Sequence, residues 1–299
     1  MTPANPDDRL VRALAALAPR AAQAPAALRT ALADAAARPG RLARARLLLA
    51  SAGAAGMPDA AAERLACAVE YWHLASLLLD DLPCMDDAEE RRGRRCLHRV
   101  HGESTAILAA LAFINRAYTL AGEVFAPRPA PVRRAALALV ETVMGPDGIV
   151  GGQAADLAFA AGPRTPAAIG RIAWRKTGTL LWLSLALPAL WAEPAPAHQR
   201  ALRRLGLYWG LAYQAIDDIG DVLSTSVQSG KTAQRDAALT RPNLALALGV
   251  PAAHRRVGRL LGQARATIAG LAAADSRLAF LARWHETMFV ARAASRRAA

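Results

Sequence analysis

The 299-residue chain is 54% hydrophobic, enough to bury a large core, and no Ser/Gly-rich or Pro-rich linker divides it, so we expect one domain over residues 1–299. The net charge of +13 would suit nucleic acid, but the arginines are scattered and no helix-turn-helix or RNA-binding signature is present, which argues against that partner. The three cysteines form no CxxC pair, which argues against a disulfide framework or a zinc site.

The fold is expected to be all-α, because apolar residues recur at three- and four-residue spacing almost from end to end. The N-terminal residues include acids and prolines where a signal peptide would need a basic start and an apolar run, so we expect a cytoplasmic protein. The apolar run 177–192 is shorter than the roughly 20 residues that a membrane-spanning helix needs, and Pro188 interrupts it. We therefore predict a buried core helix there and no transmembrane segment.

A first acidic cluster follows a helix that the periodicity predicts over residues 63–82. His73, Ser76 and Asp80 lie at i, i+3 and i+7, so they form a polar stripe on an otherwise apolar helix. Pro83 then disrupts helical hydrogen bonding, and the chain can bend to bring Asp86 and Asp87 back toward Asp80 and Asp81.

A second acidic cluster lies in the segment YQAIDDIGDV. Asp217 and Asp221 are i and i+4 on one helix face with Asp218 beside them, so three carboxylates are expected to crowd one patch. Both clusters could be solvated helix ends, but their flanks, LASLLL and GLAYQAI, are too apolar for exposed surface. Two groups of carboxylate oxygens suit Mg²⁺, which is often bound by one or two carboxylates together with substrate phosphates.

Cations accompany both clusters. Arg91 and Arg92 follow the first cluster, and Lys231 follows the second. Only two of the 37 basic residues are lysines, Lys176 and Lys231, which suggests positions that need a compact ammonium group for a phosphate. Metal ligands beside cations predict a diphosphate substrate, with its organic part along the apolar wall of the Asp80 helix.

These segments together resemble the trans-prenyl diphosphate synthases, and in particular the bacterial geranylgeranyl diphosphate synthases. The resemblance covers nearly the whole chain, and the segments occur in the family's order and spacing. They read SLLLDDLPCMDDAEERRG, HGESTAILAA, GGQAADL, RKTG, YQAIDDIGD and SGKTAQRDA. The resemblance implies an all-α bundle around a deep central cavity, normally in a homodimer.

The resemblance also implies roles for individual residues. Three Mg²⁺ ions would be held by Asp80, Asp86 and Asp217, with Asp81 and Asp218 also among the catalytic residues. The allylic diphosphate would be contacted by Arg91, Lys176 and Lys231, with Thr177 and Gln214 near the allylic cation. Isopentenyl diphosphate would be held by Arg41, Arg44, His73 and Arg92. The departing pyrophosphate would take the final proton.

The sequence departs from the family pattern at three places. The usual Gly-Gly-Lys-Arg-x-Arg-Pro stretch reads PGRLARA over residues 39–45, so Leu42 and Ala45 replace the family's Arg and Pro. Arg241 stands where the family has a late lysine, and Ala110–Leu111 replaces Gly-Asp.

Product length should depend on the wall of the Asp80 helix. In this family a bulky residue five positions before the first aspartate often stops growth at fifteen carbons, and here that residue is Ala75, beside Ser76. Trp72 lies three positions earlier, about 4.5 Å deeper along a helix, which is close to one isoprene unit. The expected product is geranylgeranyl diphosphate, with Trp72 as the floor unless that ring points into the core or an interface.

Other functions stay open beside this one. The alternative product is farnesyl diphosphate. A class I terpene cyclase would share the fold, but its second metal motif normally mixes Asn, Ser or Thr, and Glu. A non-catalytic subunit of a heteromeric synthase would usually have lost one aspartate motif, and both are intact here.

Overall fold

The computed structural model describes residues 6–38, 40–223 and 241–290, which are almost entirely helical. The chain divides into two compact units, Met1–Arg134 and Ala135–Ala299. The all-α prediction is confirmed, whereas the single domain over residues 1–299 stays a prediction.

The first unit contains six helices and one short hairpin within the described residues. The helices are α1 (Pro6–Ala16), α2 (Ala26–Ala36), α3 (Ala43–Ala54), α4 (Asp59–Asp80), α5 (Leu97–His101) and α6 (Glu103–Phe125). The hairpin pairs β1 (Glu90–Arg91) with β2 (Arg94–Arg95). Helix α7 (Ala130–Met144) crosses the boundary between the units.

Helix α4 is the centre of the first unit and packs against α6, α3 and α1. Its buried face is rich in alanine, including Ala66, Ala68 and Ala75, so neighbouring helices can approach closely. Larger rings fill the remaining space, as where Tyr71 contacts Phe113 with ring centroids 5.3 Å apart. The helix begins four residues earlier than the sequence predicted and ends at Asp80 instead of Leu82.

The second unit holds the remaining described helices. They are α8 (Ile149–Leu157), α9 (Pro166–Ala173), α10 (Thr179–Trp191), α11 (Pro196–Leu223), α12 (Leu244–Leu248), α13 (Val250–Ala274) and α14 (Phe280–His285). A π-helical turn, Trp174–Gly178, joins α9 to α10. Helix α10 is almost wholly buried, which confirms the core helix predicted from the apolar run. It continues through Pro188 to Trp191, so the expected interruption at the proline is not seen.

Glycines allow α11 to lie directly against the start of α10. A Cβ atom at Gly210 would lie 2.2 Å from the Cα of Gly178, and one at Gly206 would lie 2.7 Å from the Cβ of Trp182. Only a residue without a side chain permits this approach. The crossing brings the π-helical turn against the middle of α11.

Helix α6 is the one helix in the described part of the chain that is long and apolar enough to cross a membrane by length and composition. Of its most apolar window, 39% is buried. Core helices pass the same length and composition test, and α6 packs along α4, so this is weak evidence for a membrane span.

Candidate active site

The first aspartate cluster folds back on itself at the end of α4. The Asp86 amide donates to the Asp80 carbonyl at 2.9 Å, and the Ala88 amide donates to the Asp81 carbonyl at 3.0 Å. The predicted return of the chain after Pro83 is therefore confirmed. Asp80 and Asp86 are both half-buried, whereas Asp87 is exposed and adopts a left-handed backbone with φ of 47°.

Asp81 has a different environment from its neighbours in the motif. It is 3% exposed, and Arg91 donates to it from Nε to Oδ1 at 2.8 Å and from Nη2 to Oδ1 at 2.6 Å. Burial alone would lower the pKa of Arg91, but the hydrogen bonds and charge of Asp81 outweigh burial and raise it. The ion pair neutralises Asp81 and fixes Arg91 at the base of the hairpin.

The hairpin itself was not expected from the sequence. Its two-residue loop is Arg92–Gly93, and both residues have positive φ, 57° and 72°. This is the backbone of a type I′ turn, which matches the twist of paired strands. The turn places Arg92 beside Gly40, where a Cβ atom would lie 2.2 Å from Nη1 of Arg92.

A cavity in the first unit is lined by two of the four residues assigned to isopentenyl diphosphate, His73 and Arg92. Its lining includes Gly40, Glu70, His73 and Arg92. The pKa of His73 lies well below its ordinary value, first because of burial and then because of the charges of Arg44, Arg92 and Arg91. His73 is consequently a neutral ring among cations.

The two N-terminal arginines differ in their placement. Arg44 is half-buried and close enough to influence both His73 and Glu70, whereas Arg41 is exposed, and neither of them lines the cavity. Leu42, which replaces the family's arginine, is buried and adopts a left-handed backbone with φ of 50° just before α3.

In the second unit, Thr177 and Gln214, the residues expected beside the allylic cation, belong to a connected set of hydrogen bonds. Thr177 donates to Oε1 of Gln214 at 3.1 Å, and Nε2 of Gln214 donates to Oδ1 of Asp218 at 2.8 Å. The backbone amide of Leu244 donates to Oδ2 of Asp218 at 2.7 Å. Both ends of the Gln214 amide are therefore engaged, which fixes its orientation.

The expected crowding of three carboxylates on α11 is only partly correct. Asp218 is 1% exposed, and both of its carboxylate oxygens accept hydrogen bonds inside the unit. Asp217 and Asp221 are half-buried. The difference arises because one residue along a helix turns the side chain by about 100°, enough to direct Asp218 into the core.

Lys176 is anchored by a carboxylate that the sequence analysis did not single out. Its Nζ lies 3.1 Å from Oδ2 of Asp156, and Nη1 of Arg241 lies 3.9 Å from the same oxygen. Asp156 belongs to GGQAADL, one of the segments that carry the family resemblance. The residue spacing of that segment did not predict a role for Asp156. Lys231, the other predicted lysine, lies outside the described residues.

The proposed pocket floor is buried but faces an aromatic neighbour. Trp72 and Ala75 are both 0% exposed, and the Trp72 ring meets Tyr118 of α6 edge-on with centroids 5.3 Å apart. Ser76 donates its hydroxyl to the carbonyl of His73 at 2.8 Å, a local helical bond.

Among residues 6–38, 40–223 and 241–290, no three His, Cys, Asp or Glu side chains are gathered closely enough to hold a metal ion by themselves. The half-buried pair Asp80 and Asp86 nevertheless offers hard oxygen donors at one helix end. Such a donor set fits Mg²⁺, which usually completes its coordination with water and substrate phosphates.

Comparisons with known proteins agree with this arrangement. The chain is 40% identical over 195 residues to geranylgeranyl diphosphate synthase of Pseudescherichia vulneris, an alignment covering 64% of this chain and 61% of that protein. It is 35% identical over 215 residues to farnesyl diphosphate synthase of Geobacillus stearothermophilus, covering 72% of each. The chain thus spans less than two thirds of the length of the first relative.

A solved structure shares the fold. The geranyltransferase of Helicobacter pylori, complexed with magnesium and isoprenyl diphosphate, superposes with a TM-score of 0.83 over 94% of each chain at 24% identity. The sequence model of the family described as polyprenyl synthetase matches residues 25–274. With that match over most of its length, this chain belongs to the polyprenyl synthetase family.

Proposed function

We propose that this chain is a short-chain trans-prenyl diphosphate synthase that joins isopentenyl diphosphate to an allylic diphosphate. The observation that carries the proposal is the geometry of the first aspartate motif. The Asp86 amide returns to the Asp80 carbonyl, so the outer two carboxylates lie at one helix end, while Arg91 neutralises the middle one. A diphosphate with its metal ions needs carboxylates in this pattern.

Asp80 and Asp86 in the first unit and Asp217 in the second are the proposed magnesium ligands. When bound, Mg²⁺ supplies neutralisation of the charge that develops on the leaving diphosphate oxygen. Arg91, Lys176 and Lys231 are the proposed cationic contacts of the same diphosphate. We propose three ions, in keeping with the family resemblance.

Thr177 and Gln214 are proposed to lie beside the allylic cation. The Thr177 hydroxyl already donates its hydrogen to Gln214, so only its lone pairs are available to another group. Such a hydroxyl can face a carbocation favourably. Asp218 accepts a hydrogen bond from the other end of the Gln214 amide. The proposed role of Asp218 is therefore to keep the Gln214 side chain in this orientation while the allylic substrate ionises.

Isopentenyl diphosphate is assigned to the cavity of the first unit. Arg92 lines this cavity and Arg44 lies near its His73, so both are proposed to supply positive charge, with His73 as a neutral hydrogen-bond donor. Arg41, which is exposed, is the remaining proposed contact. No side-chain base is required, because the released pyrophosphate can accept the final proton.

The proposed product is the twenty-carbon geranylgeranyl diphosphate. Ala75 presents only a methyl group, so it leaves room for growth past fifteen carbons. Trp72, three residues earlier and about 4.5 Å deeper, is the proposed floor although its ring is buried in the core against Tyr118. Ala75→Phe should shift the product toward farnesyl diphosphate, and Trp72→Ala should permit longer chains. If Ala75→Phe leaves the product distribution unchanged, the pocket floor is assigned wrongly.

The proposed assembly is a cytoplasmic homodimer that pairs through α6. Ile107, Leu108, Leu111 and Tyr118 fall on one face of α6 and are 38–54% exposed, an unusual density of apolar side chains for a solvated surface. Leu111→Glu should convert the dimer to a monomer in sedimentation velocity. A wild-type chain that sediments as a monomer would contradict the proposal.

The function is tested by incubating the purified chain with labelled isopentenyl diphosphate and dimethylallyl, geranyl or farnesyl diphosphate, followed by chain-length analysis. We expect elongated diphosphates that require Mg²⁺ and end mainly at twenty carbons. Hydrocarbons or alcohols would indicate a terpene cyclase, and no turnover by the chain alone would indicate a non-catalytic subunit. A product that ends at fifteen carbons would support the farnesyl alternative.

A further inference from the structure

A buried carboxylate lies in the isopentenyl diphosphate cavity among the proposed binding groups. Glu70 is 7% exposed and lines the cavity together with His73 and Arg92. It precedes His73 by three residues on α4, so both side chains point from neighbouring turns of one helix face. A carboxylate in the proposed binding site of a diphosphate would repel that substrate unless hydrogen bonds or cations already compensate its negative charge.

Glu70 is engaged by the first turn of α3. The backbone amide of Ala45 donates to Oε1 of Glu70 at 3.0 Å. Helix α3 begins at Ala43, so Ala45 is in the first turn, where backbone amides have no partner within the helix. Glu70 therefore acts as a cap for α3 supplied by a different helix, and it ties the start of α3 to α4.

This bond depends on the departure from the family's N-terminal motif. That motif usually ends in proline at the position of Ala45, and proline has no backbone N–H to donate. The replacement by alanine thus creates the donor that Glu70 uses. In the same segment Leu42 replaces an arginine, so the chain has one cation fewer there and Arg44 carries more of the binding.

The surrounding charges support this account of Glu70. Burial raises the pKa of Glu70, while Arg44, the Ala45 amide, Arg92 and Arg46 oppose that rise. Arg44 and Arg92 both lie close enough to lower the pKa of Glu70, and a carboxylate near two cations reduces their mutual repulsion. Glu70 can therefore favour the approach of both cations to the cavity that it lines before a diphosphate arrives.

We propose that Glu70 is a positioning residue for isopentenyl diphosphate, which fixes the start of α3, and with it Arg44, against the Arg92 side of the cavity through the Ala45 amide. This inference rests on the proposed function, because it names how one of the two substrate sites is held in shape.

The test is to restore the family's proline. Ala45→Pro removes the amide donor, and we expect the KM for isopentenyl diphosphate to rise about tenfold while the KM for the allylic substrate stays within about twofold, since one hydrogen bond to a charged group is lost. Ala26→Pro is the matched control, because Ala26 is the exposed first residue of α2, follows Pro25 with an extended backbone (ψ of 147°) and does not line the cavity. It should leave both constants within about twofold.

Glu70→Gln provides the second variant, since it keeps an oxygen acceptor for Ala45 but loses the charge that holds Arg44 and Arg92. Its isopentenyl KM should also rise, and adding Ala45→Pro to it should cost less than Ala45→Pro costs alone. Thermal unfolding of each variant checks that the fold is intact, and calorimetric titration with isopentenyl diphosphate measures binding without turnover.

Equal effects of Ala45→Pro and Ala26→Pro, or equal rises in both KM values, would overturn the positioning role. Wild-type chain that binds isopentenyl diphosphate but makes no product would contradict the proposed function instead, and the binding titrations of the variants would still decide the role of Glu70. Wild-type chain without measurable binding of isopentenyl diphosphate would contradict both.

Discussion

The two units of the chain hold their proposed site residues in place by different physical means. In the first unit, the ion pair between Asp81 and Arg91 ties the end of α4 to the short hairpin. The hydrogen bond from the Ala45 amide to Glu70 ties the start of α3 to α4. Charged side chains therefore hold this part of the site in place. In the second unit, Gly178 and Gly210 let two helical segments touch, and this contact brings Thr177 to Gln214. The first unit should therefore be sensitive to changes of charge, and the second to changes of volume.

The largest effect on turnover is expected for the aspartates of the two units that are proposed to bind Mg²⁺. Asp80→Ala in the first unit and Asp217→Ala in the second should each reduce kcat by roughly 10²–10³-fold, the usual cost of losing a preorganised electrostatic group. Helix content should be unchanged by circular dichroism. Glu89→Ala, an exposed acid in the same loop as Asp86, is the control and should stay within about twofold.

Near-normal turnover in either aspartate variant, or in wild type with excess EDTA, would contradict the proposed metal-assisted ionisation.

The dependence of the second unit on volume can be tested at the glycine contact. Gly210→Ala would place its Cβ 2.2 Å from the Cα of Gly178, a backbone clash that no rotamer change can relieve. We expect a loss of roughly 3 kcal/mol in the free energy of unfolding, measured by urea denaturation. The allylic KM should rise as well, because Thr177 and Gln214 separate.

Gly262→Ala is the matched control for this substitution. Gly262 is exposed on α13, and a Cβ there would meet nothing within 4 Å. Alanine is the better helix former, so this variant should be as stable as wild type or up to about 1 kcal/mol more stable. If Gly210→Ala behaved like Gly262→Ala, the close helix contact would be wrong.

The dependence of the first unit on charge can be tested at Asp81. Asp81→Asn leaves Arg91 without its counterion, and we expect a loss of roughly 2 kcal/mol in the free energy of unfolding. Breaking the exposed pair Arg265–Glu286 with Glu286→Gln is the control and should cost less than about 0.5 kcal/mol. Equal losses would mean that the Asp81–Arg91 pair has no special role in the first unit.

A smaller effect concerns pH and the core of the second unit. His285 is 1% exposed, and Nε1 of Trp209 donates to its Nδ1 at 3.1 Å. Burial lowers the pKa of His285 in the folded chain, so below about pH 6.5 the unfolded chain takes up a proton that the folded chain does not. This residue should therefore lower stability as pH falls, by at most about 1.4 kcal/mol per pH unit.

The comparison variant is His285→Phe, which should flatten the dependence of unfolding free energy on pH between about 5 and 6.5. An unaltered slope in His285→Phe would show that other groups dominate the acid response.

Much of the fold could be predicted from the sequence, because helical periodicity is a local property. The existence of α4, the return of Asp86 and the buried α10 follow from apolar spacing and one proline, although α4 ends two residues earlier than predicted. The hairpin at Arg92–Gly93 could not be recognised, since its strands have only two residues each and the loop lacks the usual Asn-Gly or Asp-Gly sequence.

The candidate site could be predicted only where a motif marked it. Glu70 and Asp156 each stand alone among apolar residues in sequence, so their partners become visible only when other helices come near. The inward turn of Asp218 likewise depends on Leu244, which lies 26 residues away. Tertiary contacts of this kind leave no periodic signal in a single sequence.

The assignment of these residues to isopentenyl diphosphate or to the allylic diphosphate is tested most directly by steady-state kinetics with one substrate varied at a time. His73→Ala and Arg44→Ala in the first unit should raise mainly the isopentenyl KM, whereas Lys176→Ala and Lys231→Ala should raise mainly the allylic KM and lower kcat. If Lys176→Ala or Lys231→Ala raised only the isopentenyl KM, the assignment of substrates to the two units would be reversed.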